Sequence, residues 1–475
     1  MTAAFAGERA VVIGFGTSGR AAAKVLAAEG AEVRVTEARS LDELEAPADR
    51  FGAGRESGKE QEIGPGGEVE ILAGGHRPEH LDGATLVIAS PGVPHGAKVL
   101  AWARRRGLPI WSELELGARL CGVPFVAVTG TNGKTTTVEL VATMMRAAGL
   151  SAAACGNVGY PFSLAARDTS LDALAVECSS FQLVFQESLR PKVSVLMNLA
   201  PDHLDWHGSF DDYAAAKARV FARQQSSDIH VGNRDDPDAA RLSRRAPCEV
   251  RWFGWGRPAP GDVGVDGGHI LAAPGDVVGA NTDSPMDLGA PATQHRTFLA
   301  DAAAAAAAGL AFGLSAEAVR SALATFTPLP HRGTVVAQTG SVRFVDDSKA
   351  TNPHATLAAL EGLEDAVLIA GGLAKGVDLA PLASAATSLT AVVAIGEAAG
   401  AMAEVFDGLV PVLRAASMED AVETAFSVAP EGGTVILAPA CASQDMFRDY
   451  RERGERFIAA ARAISARVES EGSYA

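Results

Sequence analysis

The chain has 475 residues, 48% hydrophobic, 6% aromatic and 21% charged, with a formal net charge of −16 at pH 7. That length exceeds one hydrophobic core and predicts roughly three domains, and the acidic balance argues against a broad nucleic-acid-binding surface. No apolar run reaches the length of a membrane span, no basic-then-apolar leader stands at Met1 to Arg9, and the five scattered cysteines read as reduced thiols. A cytoplasmic protein, away from membranes and nucleic acid, is expected.

In the first block, Arg9 to Ile13 is predicted as a short strand. It enters Gly14-Phe-Gly-Thr-Ser-Gly19, and a helix then runs through Ala28 to a C-capping Gly30. A second strand, Glu32 to Thr36, ends at Glu37. An acidic residue about 20 positions beyond such glycines is the pattern of dinucleotide-binding βαβ openings. The polar, Gly-rich passage from Phe51 to Gly67 reads as a mobile excursion. A strand at Thr85 to Ala89 then meets Ser90-Pro-Gly92, a tight turn at a strand's carboxyl end.

The second block opens on Val126-Ala-Val-Thr-Gly-Thr-Asn-Gly-Lys-Thr-Thr-Thr137. An apolar strand from near Phe125 runs into a Gly-rich turn, and a helix follows Lys134. Backbone N–H groups in such a turn form a nest for phosphate oxygens, and the helix N-terminus adds its positive dipole end. Lys134 can reach terminal phosphates and the Thr135 hydroxyl can hold Mg²⁺. The general P-loop pattern would place Gly at Val128, so this loop is anchored by Gly130 and Gly133 instead. Apolar strands at Ala173 to Val176 and Val193 to Leu199 alternate with helical stretches, which implies a mainly parallel sheet. Glu177-Cys-Ser-Ser-Phe-Gln182 follows the first of these strands. A carboxylate there is placed to hold nucleotide-bound Mg²⁺; the alternative is a surface acidic cap. Asn198-Leu-Ala-Pro-Asp-His-Leu-Asp-Trp-His207 follows the second. His203 and His207 could be a zinc pair, but the dense carboxylates and nearby phosphate loop favour a hard cation. Lys217, on a helix from near Phe210, reads from the residues alone as a solvated cation. The block closes with helices at Leu299 to Gly309 and Ala316 to Phe326, then a Pro328-Leu-Pro330 linker.

The third block begins at His331-Arg332. Strands are predicted at Val342 to Val345, Ala366 to Ile369, Val392 to Ile395 and Thr434 to Leu437, with helices between them. Asp347-Ser-Lys-Ala-Thr-Asn-Pro353, Ala370-Gly-Gly-Leu-Ala-Lys-Gly376 and Pro439-Ala-Cys-Ala-Ser-Gln-Asp445 each follow a strand. Turns at the carboxyl ends of strands in one open sheet converge on one crevice.

The ordered set Gly14 to Gly19, Thr129 to Thr136, Gly156-Asn-Val-Gly159, Glu177 to Gln182, Asp202-His-Leu-Asp205, Pro330-His-Arg332, Asp347-Ser-Lys-Ala-Thr351 and Pro439 to Ser443 resembles the Mur ligase family across essentially the whole chain. The Asp-Ser-Lys-Ala-Thr-Asn run is similar to the branch that adds glutamate. The resemblance implies three α/β domains. These are a Rossmann-like UDP-substrate domain (1–112), a central P-loop ATPase-type domain with a mainly parallel sheet (113–328), and a Rossmann-like open-sheet amino-acid domain (329–475). It implies an ATP-dependent amide-bond-forming ligase, acting as a monomer, that joins D-glutamate to UDP-N-acetylmuramoyl-L-alanine in peptidoglycan precursor synthesis. No residue pattern here separates D- from L-glutamate.

By the same resemblance, Gly130, Thr131, Asn132, Gly133, Lys134, Thr135 and Thr136 would bind ATP phosphates. Asp301, Arg332, Asp347 and Lys349 would complete the nucleotide site. Thr135, Glu177, His203 and a CO₂-carbamylated Lys217 would hold two Mg²⁺ ions. Thr17, Ser18, Glu37, Gly92, Asn157 and Ser179 would face the UDP-muramoyl substrate; Thr351, Lys375, Ser443 and Tyr450 would face glutamate. Lys134, Glu177, His203 and Lys217 would be the catalytic set. Two departures stand out: Asp301 occupies the position of an adenine-contacting Asn, and Glu37-Ala38 replaces an Asp followed by a basic residue near uracil. Competing readings are another amino-acid-adding ligase of the family, a non-catalytic nucleotide-binding regulator, and a nicotinamide-dependent oxidoreductase suggested by Gly14-x-Gly-x-x-Gly19 with Glu37.

Overall fold

The computed structural model describes residues 4–45, 69–273, 284–291 and 293–472. The predicted excursion at Phe51 to Gly67 lies outside them. The first sheet comprises β1 (Arg9–Ile13), β2 (Glu32–Thr36), β3 (Val69–Leu72), β4 (Leu86–Ala89) and β5 (Ile110–Ser112), in the order β3-β2-β1-β4-β5. All its pairings are parallel. Apolar runs such as Val11-Val-Ile13 and Leu86-Val-Ile-Ala89 are wholly buried, as strands covered on both faces require. The helix Thr17–Ala28 ends as its sequence indicates. Gly30 adopts φ +86°, and Ala31 N–H reaches back to the Leu26 carbonyl, closing a Schellman turn that a β-carbon would strain.

The central sheet comprises β6 (Phe125–Thr129), β7 (Ala152–Gly156), β8 (Ala173–Glu177), β9 (Val193–Leu196), β10 (Ile229–Asn233), β11 (Glu249–Trp255), β12 (Val263–Asp266), β13 (His269–Ala272) and β14 (Met286–Asp287). Its order is β14-β13-β12-β11-β10-β9-β6-β8-β7, parallel except at the β12-β13-β14 edge. The phosphate-loop strand β6 is thus flanked by β8 and β9. In register, Val128 faces Glu177 and Thr129 faces Leu196. β9 stops earlier than the predicted Leu199, because Asn198 leaves the ladder to bind the phosphate loop. The alanine-rich run forms the helix Arg296–Phe312, with Ala302 to Ala308 buried.

The third sheet comprises β15 (Thr334–Thr339), β16 (Val342–Asp346), β17 (Ala366–Gly371), β18 (Leu389–Ile395), β19 (Val412–Arg414) and β20 (Thr434–Ala440). The order is β15-β16-β20-β17-β18-β19, with only β15 antiparallel. Two hydrophobic clusters cover its two faces, one centred on Leu368, Val392 and Ile436, the other on Ile369, Val393 and Leu437. Contacts divide the chain into two compact units. One comprises Met1–Leu199, His203–Gly289 and Ala302–Ala324 and carries the first two sheets; the other comprises Ala200–Asp202, Ala290–Asp301 and Thr325–Ala475 and carries the third. All five cysteines are free thiols. Burial pushes those of Cys155 and Cys178 well up, so they behave as small apolar groups. Among the described residues, no helix is long and apolar enough to cross a membrane.

Candidate active site

The first cluster lies at the carboxyl ends of β1, β2 and β4. Gly14 has φ +86°, and a β-carbon on Gly19 would overlap the Gly14 carbonyl oxygen. The turn is therefore closed by need, and Ser90 Oγ donates to that same oxygen at 3.0 Å. Thr17 and Ser18 open the helix behind it, with Gly16 as an N-cap that offers no side-chain bond. Gly92 sits exposed in the turn closed by Val93 N–H on the Ser90 carbonyl, with open space where a side chain would stand. The buried Glu37 carboxylate accepts from Phe15 N–H at 2.7 Å, from Arg39 N–H at 3.0 Å and from Arg39 Nη2 at 3.2 Å. Burial works against ionisation there. The Arg39 side chain, the two backbone N–H bonds and the Arg39 charge outweigh it and hold Glu37 at about 2. The basic side chain missing at Ala38 thus appears one position later, pinned to Glu37. Beside it, Ser40, Asp42, Leu72, Gly74, Arg77 and His80 help line an open cavity of about 580 Å³, in the size range of small-ligand sites.

The second cluster surrounds the phosphate loop. Gly130 has φ +154°, and a β-carbon there would come within 2.6 Å of Met197 Cβ. Gly133, at φ +83°, caps the helix Lys134–Ala147, which begins on Lys134 itself. Asn198 holds the loop from the neighbouring strand: its carbonyl accepts from Thr131 N–H and its Oδ1 from Asn132 N–H, at 3.0 and 2.8 Å. Lys134 Nζ folds back to the Gly130 and Thr131 carbonyls at 3.0 and 2.8 Å. Lys217, only 2% exposed, donates to the Gly130 carbonyl at 2.6 Å from above the Tyr213 ring. Tyr213 also bonds the Thr131 hydroxyl at 2.9 Å. Thr135 is half-buried on the first turn and Thr136 is buried behind it.

Glu177 ends β8 at 2% exposure. Its Oε1 accepts from Asn157 Nδ2 at 2.9 Å, while Oε2 is buried with no hydrogen-bond partner among the described residues. A carboxylate oxygen sealed from water with no donor is unfavourable by several kcal/mol, and a hard cation would relieve it. Among the described residues no three His, Cys, Asp or Glu converge as a ready metal cage. His207 is engaged by its neighbours. Its Nε2 bonds Ser180 Oγ at 3.0 Å and its ring stacks on Phe181. Burial first, then the Lys217 charge, hold it down to about 4. His203 is exposed, in the left-handed region at φ +54°, with its ring 4.8 Å from Phe181. Ser179 is engaged too: it caps the helix Ser180–Val184 in a reciprocal box with Gln182.

The third cluster belongs to the other unit. The turns after β16, β20 and β17 lie side by side because those strands are adjacent. Asp346 is fully buried, bonded to His331 Nδ1 at 2.6 Å and to Ser348 N–H at 3.0 Å. Asp347 is buried next to it. Burial pushes its carboxyl up to about 7; the Arg332 charge and a Gly333 N–H bond oppose the shift, and Asp346 adds to it. Lys349 Nζ lies 4.0 Å above the Tyr450 ring. Thr351 is half-buried, Lys375 is exposed at φ +51°, and Ser443 is 2% exposed. Asp301 is buried in the helix Arg296–Phe312. Reading the sequence missed Asn198, Tyr213 and Arg453 as builders of these turns. The i,i+4 spacing of Tyr213 and Lys217 was a usable signal; for Arg453 there was none.

Comparison with known proteins gives consistent results across the chain. Residues 8–112 match the Mur ligase MurD-like N-terminal domain, 128–264 the Mur ligase middle domain, and 331–441 the Mur ligase glutamate ligase domain. A UDP-N-acetylmuramoylalanine–D-glutamate ligase of Frankia casuarinae is 42% identical over 97% of this chain and 95% of its own length. Its counterpart in Streptomyces coelicolor is 38% identical over 98% and 100%. Among solved structures, a pseudomurein peptide ligase type C from Methanothermus fervidus shares the fold at a TM-score of 0.58 and 17% identity, covering 95% of this chain and 99% of that one. MurF ligase from Thermotoga maritima in complex with ADP does so at 0.56 and 18%, covering 82% and 90%.

Proposed function

This chain belongs to the Mur ligase family, and from that premise we propose that the amino acid it adds is D-glutamate. It is an ATP-dependent, amide-bond-forming ligase that extends a UDP-N-acetylmuramoyl precursor in peptidoglycan synthesis. D-Glutamate and an alanyl acceptor are favoured by these relatives of near-complete coverage, each named a UDP-N-acetylmuramoylalanine–D-glutamate ligase. The substrates, ATP and a UDP-sugar, accord with a cytoplasmic reaction. The domain limits 1–112, 113–328 and 329–475 are part of the same proposal.

The single observation that carries the mechanism is the Oε2 of Glu177, buried with no hydrogen-bond partner among the described residues, on a residue paired in register with Val128 of the phosphate-loop strand. Glu177, Thr135, His203 and Lys217 would hold Mg²⁺. When bound, the metal supplies positive charge that stabilises the transferring phosphoryl group. Lys217 would serve as a carbamate: its ammonium first gives up a proton, the neutral amine then adds to CO₂ as one C=O π pair moves onto oxygen, and a second proton leaves nitrogen, so a cation becomes an anion. Lys134 neutralises developing charge on the γ-phosphoryl group. A carboxylate is a poor electrophile, and phosphorylating it makes an acyl phosphate, from which phosphate departs once the glutamate amine has attacked. Asn157, through Glu177, orients the carboxylate that faces the reaction. Thr17, Ser18, Gly92 and the cavity beside Glu37 and Arg39 would take the UDP end. Arg332, Asp347, Lys349 and Asp301 would take the nucleotide, and Thr351, Lys375, Ser443 and Tyr450 the glutamate.

Hydroxylamine trapping tests this. With ATP, Mg²⁺ and UDP-N-acetylmuramoyl-L-alanine but no amino acid, the acyl phosphate should be captured as the muramoyl hydroxamate. Glu177→Gln should abolish the capture. Failure of the unmodified protein to yield hydroxamate while it makes amide product would overturn the acyl-phosphate route.

A further inference from the structure

Arg453, on the helix Tyr450–Gly472, is the largest fully buried side chain among the described residues, at 0% exposure. Burying a cation is unfavourable unless it is paired or fully hydrogen-bonded. Each of its three guanidinium nitrogens makes a hydrogen bond, in every case to a neutral oxygen. Nε donates to Ser348 Oγ at 3.0 Å, Nη2 to the Ser348 carbonyl at 2.8 Å, and Nη1 to the Cys441 carbonyl at 3.1 Å. Among the described residues no carboxylate lies within ion-pair distance. Asp346 is committed to His331 and Ser348 N–H, and Asp445 accepts from Glu397 N–H at 2.8 Å. A neutral side chain of the same size would serve if packing were the only requirement.

The bonds of Arg453 join two turns distant in sequence. Ser348 belongs to the turn after β16 and Cys441 to the turn after β20. The third turn is equally near: a β-carbon on Gly372 would come within 3.4 Å of Nη1. The helix start adds further ties, because Ser348 Oγ donates to the Tyr450 carbonyl and a β-carbon on Gly454 would overlap the His331 ring. Planar guanidinium geometry suits such a multi-point clamp, which a lysine ammonium cannot reproduce.

We propose that Arg453 is a positioning residue for the amino-acid site: its guanidinium fixes the turns after β16 and β20 in register and lends them a buried positive charge that favours a dicarboxylate. The inference rests on the glutamate-ligase reading above. In steady-state assays with all three substrates, Arg453→Met, which removes both fork and charge, should raise the KM for D-glutamate at least tenfold. Arg453→Lys, which keeps the charge and loses the fork, should fall between. The KM for the muramoyl substrate, assigned to the first sheet, should stay within twofold. If position 453 tolerates no change, Ser348→Ala, which removes one acceptor, should raise the D-glutamate KM several-fold with the same selectivity. A folded Arg453→Met protein with an unchanged D-glutamate KM, an equal rise in every KM, or a neutral Ser348→Ala where the 453 variants fail to fold would overturn the inference. Unmodified protein that ligates no glutamate would overturn the functional reading, and the inference with it; a working unmodified protein beside an unaffected Arg453→Met overturns the inference alone.

Discussion

Lys217 is a buried ammonium set on the carbonyl of the phosphate loop it would have to share with Mg²⁺. Two like charges at close range in a poorly solvated site repel by several kcal/mol even at an effective dielectric near 20, so a metal role requires the sign at Lys217 to invert. Lys217→Ala should therefore be inactive and partly rescued by acetate or formate, and ¹³CO₂ should give a carbamate carbon resonance that this variant lacks. Full activity without rescue would exclude the role. Asp347 gives a second residue-scale expectation. Its folded carboxyl titrates near 7, against about 3.9 in an unfolded chain. Between those values the folded state holds a proton that the unfolded state has released, so this group's stabilisation is present below about pH 4 and lost as pH rises through 7. His207, held down to about 4, acts oppositely, its share being lost as pH falls below about 6.5. Comparing thermal unfolding of Asp347→Asn with the unmodified protein from pH 4 to 8 isolates the first effect: the variant should gain relative stability as pH rises. At this scale the sequence made the positions of Lys134 and Glu177 legible, because one opens the helix after a Gly-rich turn and the other ends a strand. It left Lys217 mute, because a helical lysine shows its burial only in three dimensions.

The short helix Leu204–His207 shows how an element inherits work from its neighbours. His203 caps it from the left-handed region, a conformation that persists only where surroundings enforce it. Trp206 supplies part of that enforcement. Its ring packs against Phe181 and His207, and its Nε1 donates to the Val93 carbonyl at 3.2 Å, in the loop that carries Gly92. Trp206→Phe keeps an aromatic ring and loses the bond, a change of about 1 kcal/mol or roughly fivefold. The KM for the muramoyl substrate should rise by that factor while the KM for ATP holds; an ATP effect alone would show that the loop contact is unrelated to substrate. From the sequence, the crowding of Asp202, His203, Asp205 and His207 suggested a shared site. In the structure His203 and His207 both pack against Phe181, and His207 also bonds Ser180 Oγ. Ser179, expected to face the substrate, also caps a helix, and its Ser-x-x-Gln spacing with Gln182 is the signal for that cap.

At the scale of the molecule, three sheets were legible because strands such as β1, β6 and β17 are short apolar runs that end in Gly-rich turns. The turns at Gly14, Gly130 and Gly372 all fall at carboxyl ends of parallel strands, where α/β sheets place their ligands. What the sequence could not supply was neighbourhood within each sheet. That β6 lies between β8 and β9, or β20 between β16 and β17, follows from long-range pairing, and without it neither Asn198 nor Arg453 can be connected to a turn. The proposed division of labour among the three sheets predicts one reaction that needs all of them. The most direct test supplies ATP, Mg²⁺ and UDP-N-acetylmuramoyl-L-alanine with D-glutamate, L-glutamate, L-alanine, L-lysine or D-alanyl-D-alanine, and measures product mass together with ADP. The account predicts a single-glutamate adduct from the D-enantiomer, one ADP per amide formed, and no turnover when any substrate is withheld. A preferred substrate other than D-glutamate, or ADP release without amide, would contradict it.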